Sequence, residues 1–302
     1  MPALPVLFRD DRLLAVDKPS GLLVHRGWGG DRVTALDLAR RIVGRRVYPV
    51  HRLDRGTSGV LVFALDSEAA RRLGGAFAGG GGTDGAGTGA PEVEAAEIEA
   101  AETAERTGTA GEAGEAARDA TIAKVEKVYV ALVRGHAPDE TVVDHPIPRS
   151  EGGPRVPAVT TVRRLGVAEL EPGRVYSLVE ARPATGRLHQ VRRHLKHLAH
   201  PVIGDVEYGK GEHNRFFRER FGLHRLALHA LALALPHPST GERLFLAAPV
   251  PADLAGPLAA LGLQVPSAMQ ELSQDTKLES RVQGPDQAVP PTRSPRRVPE
   301  PK

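Results

Sequence analysis

An α+β fold, a mixed and mainly antiparallel sheet with flanking helices, is what this sequence predicts. Strand-like runs outnumber helical ones, and the longer runs alternate apolar and polar residues as half-buried strands do. The few helical stretches carry their own start and stop signals.

Short strands are expected at Val6–Phe8, Leu13–Asp17 and Val60–Leu65, and longer alternating ones at Lys127–Arg134, Arg174–Ala181 and Ala227–Leu235. A helix is expected to start at Thr34, with Asp37 completing a capping box, and a second at Ser67. A third should run from about Leu188 to His200 and stop at Pro201. There, Leu188, Val191, Leu195 and Leu198 recur at helical spacing, and Arg187, His189, Gln190, Arg192, Arg193 and Lys196 make the other face cationic.

These elements imply a single domain over residues 1–265 with one interruption. Residues 79–122 are dominated by Gly, Ala, Glu and Thr and cannot supply a core, so a disordered insert is expected there. Residues 266–302, rich in Pro, Ser, Gln and charge, read as a disordered tail. The insert holds ten acidic residues against Arg106 and Arg118, a net charge of −8, so the chain's overall +3 hides +11 on the remainder. A basic folded part is the electrostatic footprint of a protein that meets phosphates.

With no cysteine, disulfides, thiolate metal sites and cysteine nucleophiles are excluded. No apolar run reaches membrane-spanning length and the N-terminus has no signal-peptide pattern, which predicts a cytoplasmic protein that does not use a membrane. His194, His197 and His200 repeat every three residues but lack acidic ligands or an HExxH pattern, so no metal is expected. HRLDRGTSG, His51 to Gly59, displaces the Asp of a kinase HRD by one residue, and Ser58 does not sit in a GxSxG elbow.

Within that segment Asp54 lies in a turn between strand-like YPV and the run VLVFAL, hemmed by Arg52 and Arg55, which favour its ionised form. Alone, this describes a surface ion pair at a turn as well as a reactive carboxylate. Tyr129 shares a strand face with Ala131 and Val133 and is either a core aromatic or a pocket wall. The cationic helix is likewise either a solvated face or a phosphate contact, its first amides being available to an anion.

Together, DKPSGLLVH from Asp17, HRLDRGTSG, KVYVALVRG from Lys127, TGRLHQVRRHL from Thr185, HPVIGD from His200 and LHRLALHA from Leu223 resemble the RluA-type family of pseudouridine synthases. The resemblance runs from about Val6 to Leu254, the insert apart. It implies that Asp54 engages a uridine in structured RNA, whose glycosidic bond breaks, whose uracil turns, and which is rejoined through carbon, without cofactor or metal. It further implies that Arg192 pairs with Asp54, that Tyr129 stacks near the flipped uracil with its hydroxyl assisting proton transfer, and that Arg52 fills the gap left by the uridine. Arg187, His189, Gln190 and Arg193 would contact RNA. VHRGWGGDR, LHQVRRHLKHLAHPVIGD and HNRFFRERFGLHRLALHA are most similar to members that act on tRNA, which puts tRNA ahead of rRNA as partner of a monomeric enzyme. A noncatalytic RNA-binding or chaperone protein and an Asp-dependent hydrolase are the competing readings. The hydrolase would want a second positioned carboxylate.

Overall fold

The structure is a computed structural model that describes residues 4–26, 33–78, 125–149, 152–171 and 173–266. The insert expected at 79–122 lies outside the described residues, as does the expected tail beyond residue 266.

The N-terminal strands are β1 (Val6–Arg9), β2 (Leu13–Lys18), β3 (Tyr48–Pro49) and β4 (Ser58–Ala64). Helix α1 (Ala35–Val43) precedes β3, and α2 (Ser67–Ala78) follows β4. Because side chains alternate across a strand, β2 and β4 bury both faces. Leu14, Val16, Leu61 and Phe63 pack with Leu36 and Leu38 of α1, whereas Leu13, Ala15, Val60 and Val62 pack with Ala69 and Leu73 of α2. Helix α1 opens as the sequence predicts: the Asp37 amide donates to the Thr34 hydroxyl at 3.2 Å and the Thr34 amide to the Asp37 carboxylate at 3.1 Å.

The second half contributes β5 (Glu126–Arg134), β6 (Glu140–Asp144), a small β7 (Ile147–Pro148) and β8 (Arg155–Val156) pair, β9 (Val159–Glu171) and β10 (Arg174–Pro183). Helices α3 (Gln190–His197) and α4 (Gly211–Phe221), strands β11 (Leu228–Pro236) and β12 (Arg243–Ala247), and helix α5 (Ala252–Ala260) complete it. The sheet order is β1-β2-β4-β11-β5-β10-β9-β6, with β3 on β4 and β12 on β11. Among the described residues all pairs are antiparallel except β4–β11, so the mixed, mainly antiparallel α+β expectation describes the sheet.

Helix α3 is shorter than expected. It starts at Gln190 because His189 takes a left-handed conformation (φ 53°), and it ends at His197. Ala199, also left-handed (φ 63°), turns the chain before Pro201 can.

The parallel β4–β11 contact is a seam between the two halves, where His229 and Ala230 of β11 lie beside Ser58 and Gly59. Gly59 has φ +113°, and any Cβ there would run into the Ala230 carbonyl, so the backbones meet this closely only with glycine. Beside it the buried His229 ring takes the Ser58 hydroxyl at Nδ1 (2.8 Å) and donates through Nε2 to the Ala248 carbonyl (3.2 Å). Arg225 donates to Ser58 as well, which leaves the serine proton for the histidine.

Desolvation pushes the His229 pKa down from its ordinary 6.5 to about 4. The folded state then binds fewer protons than the unfolded chain between those values. Stability is full above pH 6.5 and is lost as pH falls toward 4, by about 2 kcal/mol at pH 5 from this group. Denaturant titration at pH 7 and pH 5 checks this: His229→Gln should lose less stability between the two than the parent, and an equal loss would contradict it.

Candidate active site

Asp54 sits at this seam, in the turn that leads into β4, closed by the Thr57 amide donating to the Asp54 carbonyl at 3.0 Å. Its side chain is 19% exposed. One carboxylate oxygen, Oδ2, lies 3.3 Å from Nη1 of Arg192, and Oδ1 lies 3.8 Å from Nε2 of His189. A cation in hydrogen-bond contact with it thus comes from 138 residues away, on α3. Arg52 is exposed, and Arg55 turns its Nε to the Gly21 carbonyl.

Arg192 is itself tightly held, its side chain 9% exposed. Nε and Nη2 donate to the two oxygens of Asp205 at 2.7 and 2.9 Å, a planar fork, and Nη2 also donates to Glu207 at 3.1 Å. Asp205 in turn accepts the amides of Glu207 and Tyr208, both at 3.0 Å. Burial alone would raise the Asp205 carboxyl, but Arg192 and those amides hold it below the usual range. The guanidinium also lies 4.9 Å from the Tyr208 ring centre. With Asp205 occupying the other edge of the fork, Nη1 is left to face Asp54.

Tyr129, on β5 opposite Ala230 and Ala181, is half-buried against two of the core clusters. Burial raises its phenol pKa, and the negative charge of Asp54 raises it further, so Tyr129 is both core aromatic and neighbour of the carboxylate. Lys18, fully buried at the end of β2, donates to the carbonyls of Leu22 (2.8 Å), Pro19 (3.0 Å) and Arg55 (3.4 Å). It ties the 19–22 loop to the Asp54 turn. Burial and the Arg225 charge lower its pKa to about 7, against the opposing pull of Asp54 and Asp17.

The expected RNA contacts divide. Arg52 is exposed, and Arg187 is half-exposed, reaching the Pro157 carbonyl at 3.4 Å. Arg193 is partly committed, donating to the Tyr208 hydroxyl at 2.9 Å and to the Pro148 carbonyl at 3.1 Å. Gln190 requires a correction: it is buried, and all four of its amide capacities are used within the protein. Its nitrogen donates to the Val159 carbonyl and the Thr160 hydroxyl; its oxygen accepts from the Thr185 hydroxyl and the Arg187 amide. It fixes the turn ahead of α3 and leaves nothing for RNA. The helix start is accordingly less open to an anion than its sequence suggests, since the Arg187 and Gln190 amides both have partners.

The three histidines of α3 and its end go separate ways. His194 is buried between Thr160 and the His145 carbonyl, His197 stacks on His145, and His200 bonds the Arg134 carbonyl. Sequence reasoning missed Asp205, Glu207, Tyr208 and Lys18 as parts of this site. The signal was present in HPVIGD and DKPSG, where an acid sits in a loop and a lysine closes a buried strand rather than a solvated face.

Residues 12–82 and 110–197 match the family model described as RNA pseudouridylate synthase. Curated relatives called tRNA pseudouridine synthase C from Vibrio parahaemolyticus and Vibrio cholerae are 35% and 34% identical over 82% and 86% of the chain, covering 90% and 97% of their own lengths. Of a longer relative with that name from Pectobacterium carotovorum, 35% identical, the chain spans 58%. Two solved human structures, RNA Pseudouridylate Synthase Domain Containing 1 and 4, superpose with a TM-score of 0.57 at 24% and 25% identity. They cover 95% and 87% of this chain, and 97% and 94% of their own. The chain therefore belongs to the RNA pseudouridylate synthase family, and with it to the isomerases. The relatives it resembles over most of its length carry the name of a tRNA enzyme.

Proposed function

We propose that the chain isomerises a specific uridine in tRNA to pseudouridine, in the cytoplasm, with Asp54 engaging the target nucleotide. The observation that carries this is the Asp54 carboxylate, 19% exposed, held by Arg192 through an arginine whose other edge is locked by Asp205. A carboxylate so placed is oriented before substrate arrives, as covalent or electrostatic catalysis requires. Tyr129 lies against the unstacked uracil with its hydroxyl assisting proton transfer, and burial together with the Asp54 charge raises its phenol pKa. The exposed Arg52 fills the gap in the RNA stack, offsetting part of the few kcal/mol that unstacking costs. Arg187 supplies phosphate contact. The tRNA assignment is supported by the names of the curated relatives and by their coverage of this chain.

Pseudouridine mapped across total tRNA and rRNA from cells with and without the gene tests this. One uridine position in a subset of tRNAs should lose its modification in the deleted strain. Loss confined to rRNA would move the substrate to rRNA, and no loss anywhere would contradict the reading.

A further inference from the structure

We infer that Val206 is the apolar contact for a base beside the target uridine and so helps to set RNA affinity, an inference that rests on Asp54 engaging a uridine in RNA. Among the described residues the large apolar side chains left exposed are Val6, Val142, Val167, Val206 and Phe245. Four of them stand on strands β1, β6, β9 and β12, where alternation turns every second side chain outward. Val206 has no such cause. It sits in a turn and is 92% exposed, against 62% for Val142, the next of the five.

The turn cannot fold this side chain away. The Gly204 amide donates to the Asn214 side-chain oxygen at 2.8 Å, while the Asn214 side-chain nitrogen and the Gly209 amide donate to the Asp205 carbonyl at 2.8 and 3.1 Å. On the other side of Val206, the amides of Glu207 and Tyr208 are taken by the Asp205 carboxylate. Both neighbours are fixed, so the valine is held out in water before RNA arrives, and its contact with a ligand costs little further ordering.

The same turn sets where Val206 stands relative to the reaction. Asp205 and Glu207, the residues on either side of it, both bond Arg192, which bonds Asp54. Glu207 also lies 3.3 Å from Nδ1 of His189, whose Nε2 is 3.8 Å from Asp54. A strand advances about 3.4 Å per stacked nucleotide, so RNA with its uridine at Asp54 meets this turn within one or two nucleotides. Lys196, exposed on α3 with its amino group 5.4 Å from the Tyr208 ring centre, is there to meet a phosphate. A branched apolar side chain offers a phosphate nothing, whereas every base has an apolar face. Unstacking the uridine uncovers the bases beside it, and Val206 covers one of them.

The test uses the full chain and a transcript of the tRNA whose uridine the mapping identifies, with gel-shift affinity and single-turnover pseudouridine formation as readouts. Because Val206 is exposed, its variants should unfold at the parent's temperature. Val206→Ala should weaken RNA binding roughly tenfold, the scale of taking two methyl groups out of contact, while the rate at saturating enzyme stays the parent's. Val206→Ile keeps the apolar branch and should bind as the parent does. A second set of transcripts keeps the backbone but lacks a single base beside the target, at a different position in each. On one of them the parent and Val206→Ala should bind alike, because the base that Val206 covers is gone. Equal binding to the complete transcript, a lower saturating rate at unchanged affinity, or the same loss on every base-deleted transcript would each overturn the inference. Asp54→Asn run alongside separates the two failures. If it forms as much pseudouridine as the parent the underlying reading falls, and if it alone is inactive while Val206→Ala matches the parent only the role of Val206 does.

Discussion

Asp54→Ala or Asp54→Asn is expected to abolish pseudouridine formation, a fall of roughly 10⁴-fold or more on the scale of losing a nucleophile. The asparagine keeps the shape of the carboxylate and its hydrogen-bond reach to Arg192, but it lacks the charge that pairs with Nη1 at 3.3 Å and the nucleophilic oxygen. RNA affinity should stay within a few-fold of the parent, because phosphate contacts dominate binding and Asp54 makes none. Gel-shift affinity measured beside turnover separates the two effects. Weakened binding that accounts for the lost turnover would make Asp54 a recognition residue and not a reacting one.

The second large effect is at Arg192. Arg192→Ala should lose turnover severely and stability as well, because Asp54, Asp205 and Glu207 all bond this one guanidinium. Removing one partner of a buried ion pair costs about 3–5 kcal/mol, since the other charge is left desolvated. Asp205 has no exposed side-chain surface. Arg192→Lys keeps a charge but loses the planar fork, so it should restore part of the stability and little of the activity. Thermal unfolding and single-turnover rates of both variants check this. An alanine variant with the parent's turnover would show that the Asp54–Arg192 pair is not used in the reaction.

Both expectations depend on contacts that the sequence only partly discloses. Strands β5, β10 and β11 were legible because their residues alternate at the strand period, β2 and β4 as short apolar runs, and α1 because Thr34 and Asp37 cap it. Strand β9 was not. Its pairing with β10 shifts register between Leu178 and Val179, a bulge that breaks alternation where Arg163 and Arg164 already dilute it. Helix α4 begins on a glycine and buries little beyond Asn214 and Phe217, so it carries almost no sequence signal. Within the site, Asp54 stood out as a carboxylate between arginines, yet the arginine that bonds it is remote in sequence. The same holds for Asp205, whose importance comes from accepting two amides and a guanidinium at once. Gln190 shows the opposite failure. It is a polar residue in a cationic run, and only the fold reveals that Thr160, Thr185 and two backbone groups use it up.

Whether a carboxylate oriented by Arg192 isomerises uridine in RNA is decided by the pseudouridine formed on tRNA transcripts by the purified parent and by Asp54→Asn. One modified uridine per susceptible tRNA is expected with the parent and none with the variant, at equal RNA occupancy. Equal product from both proteins would contradict it.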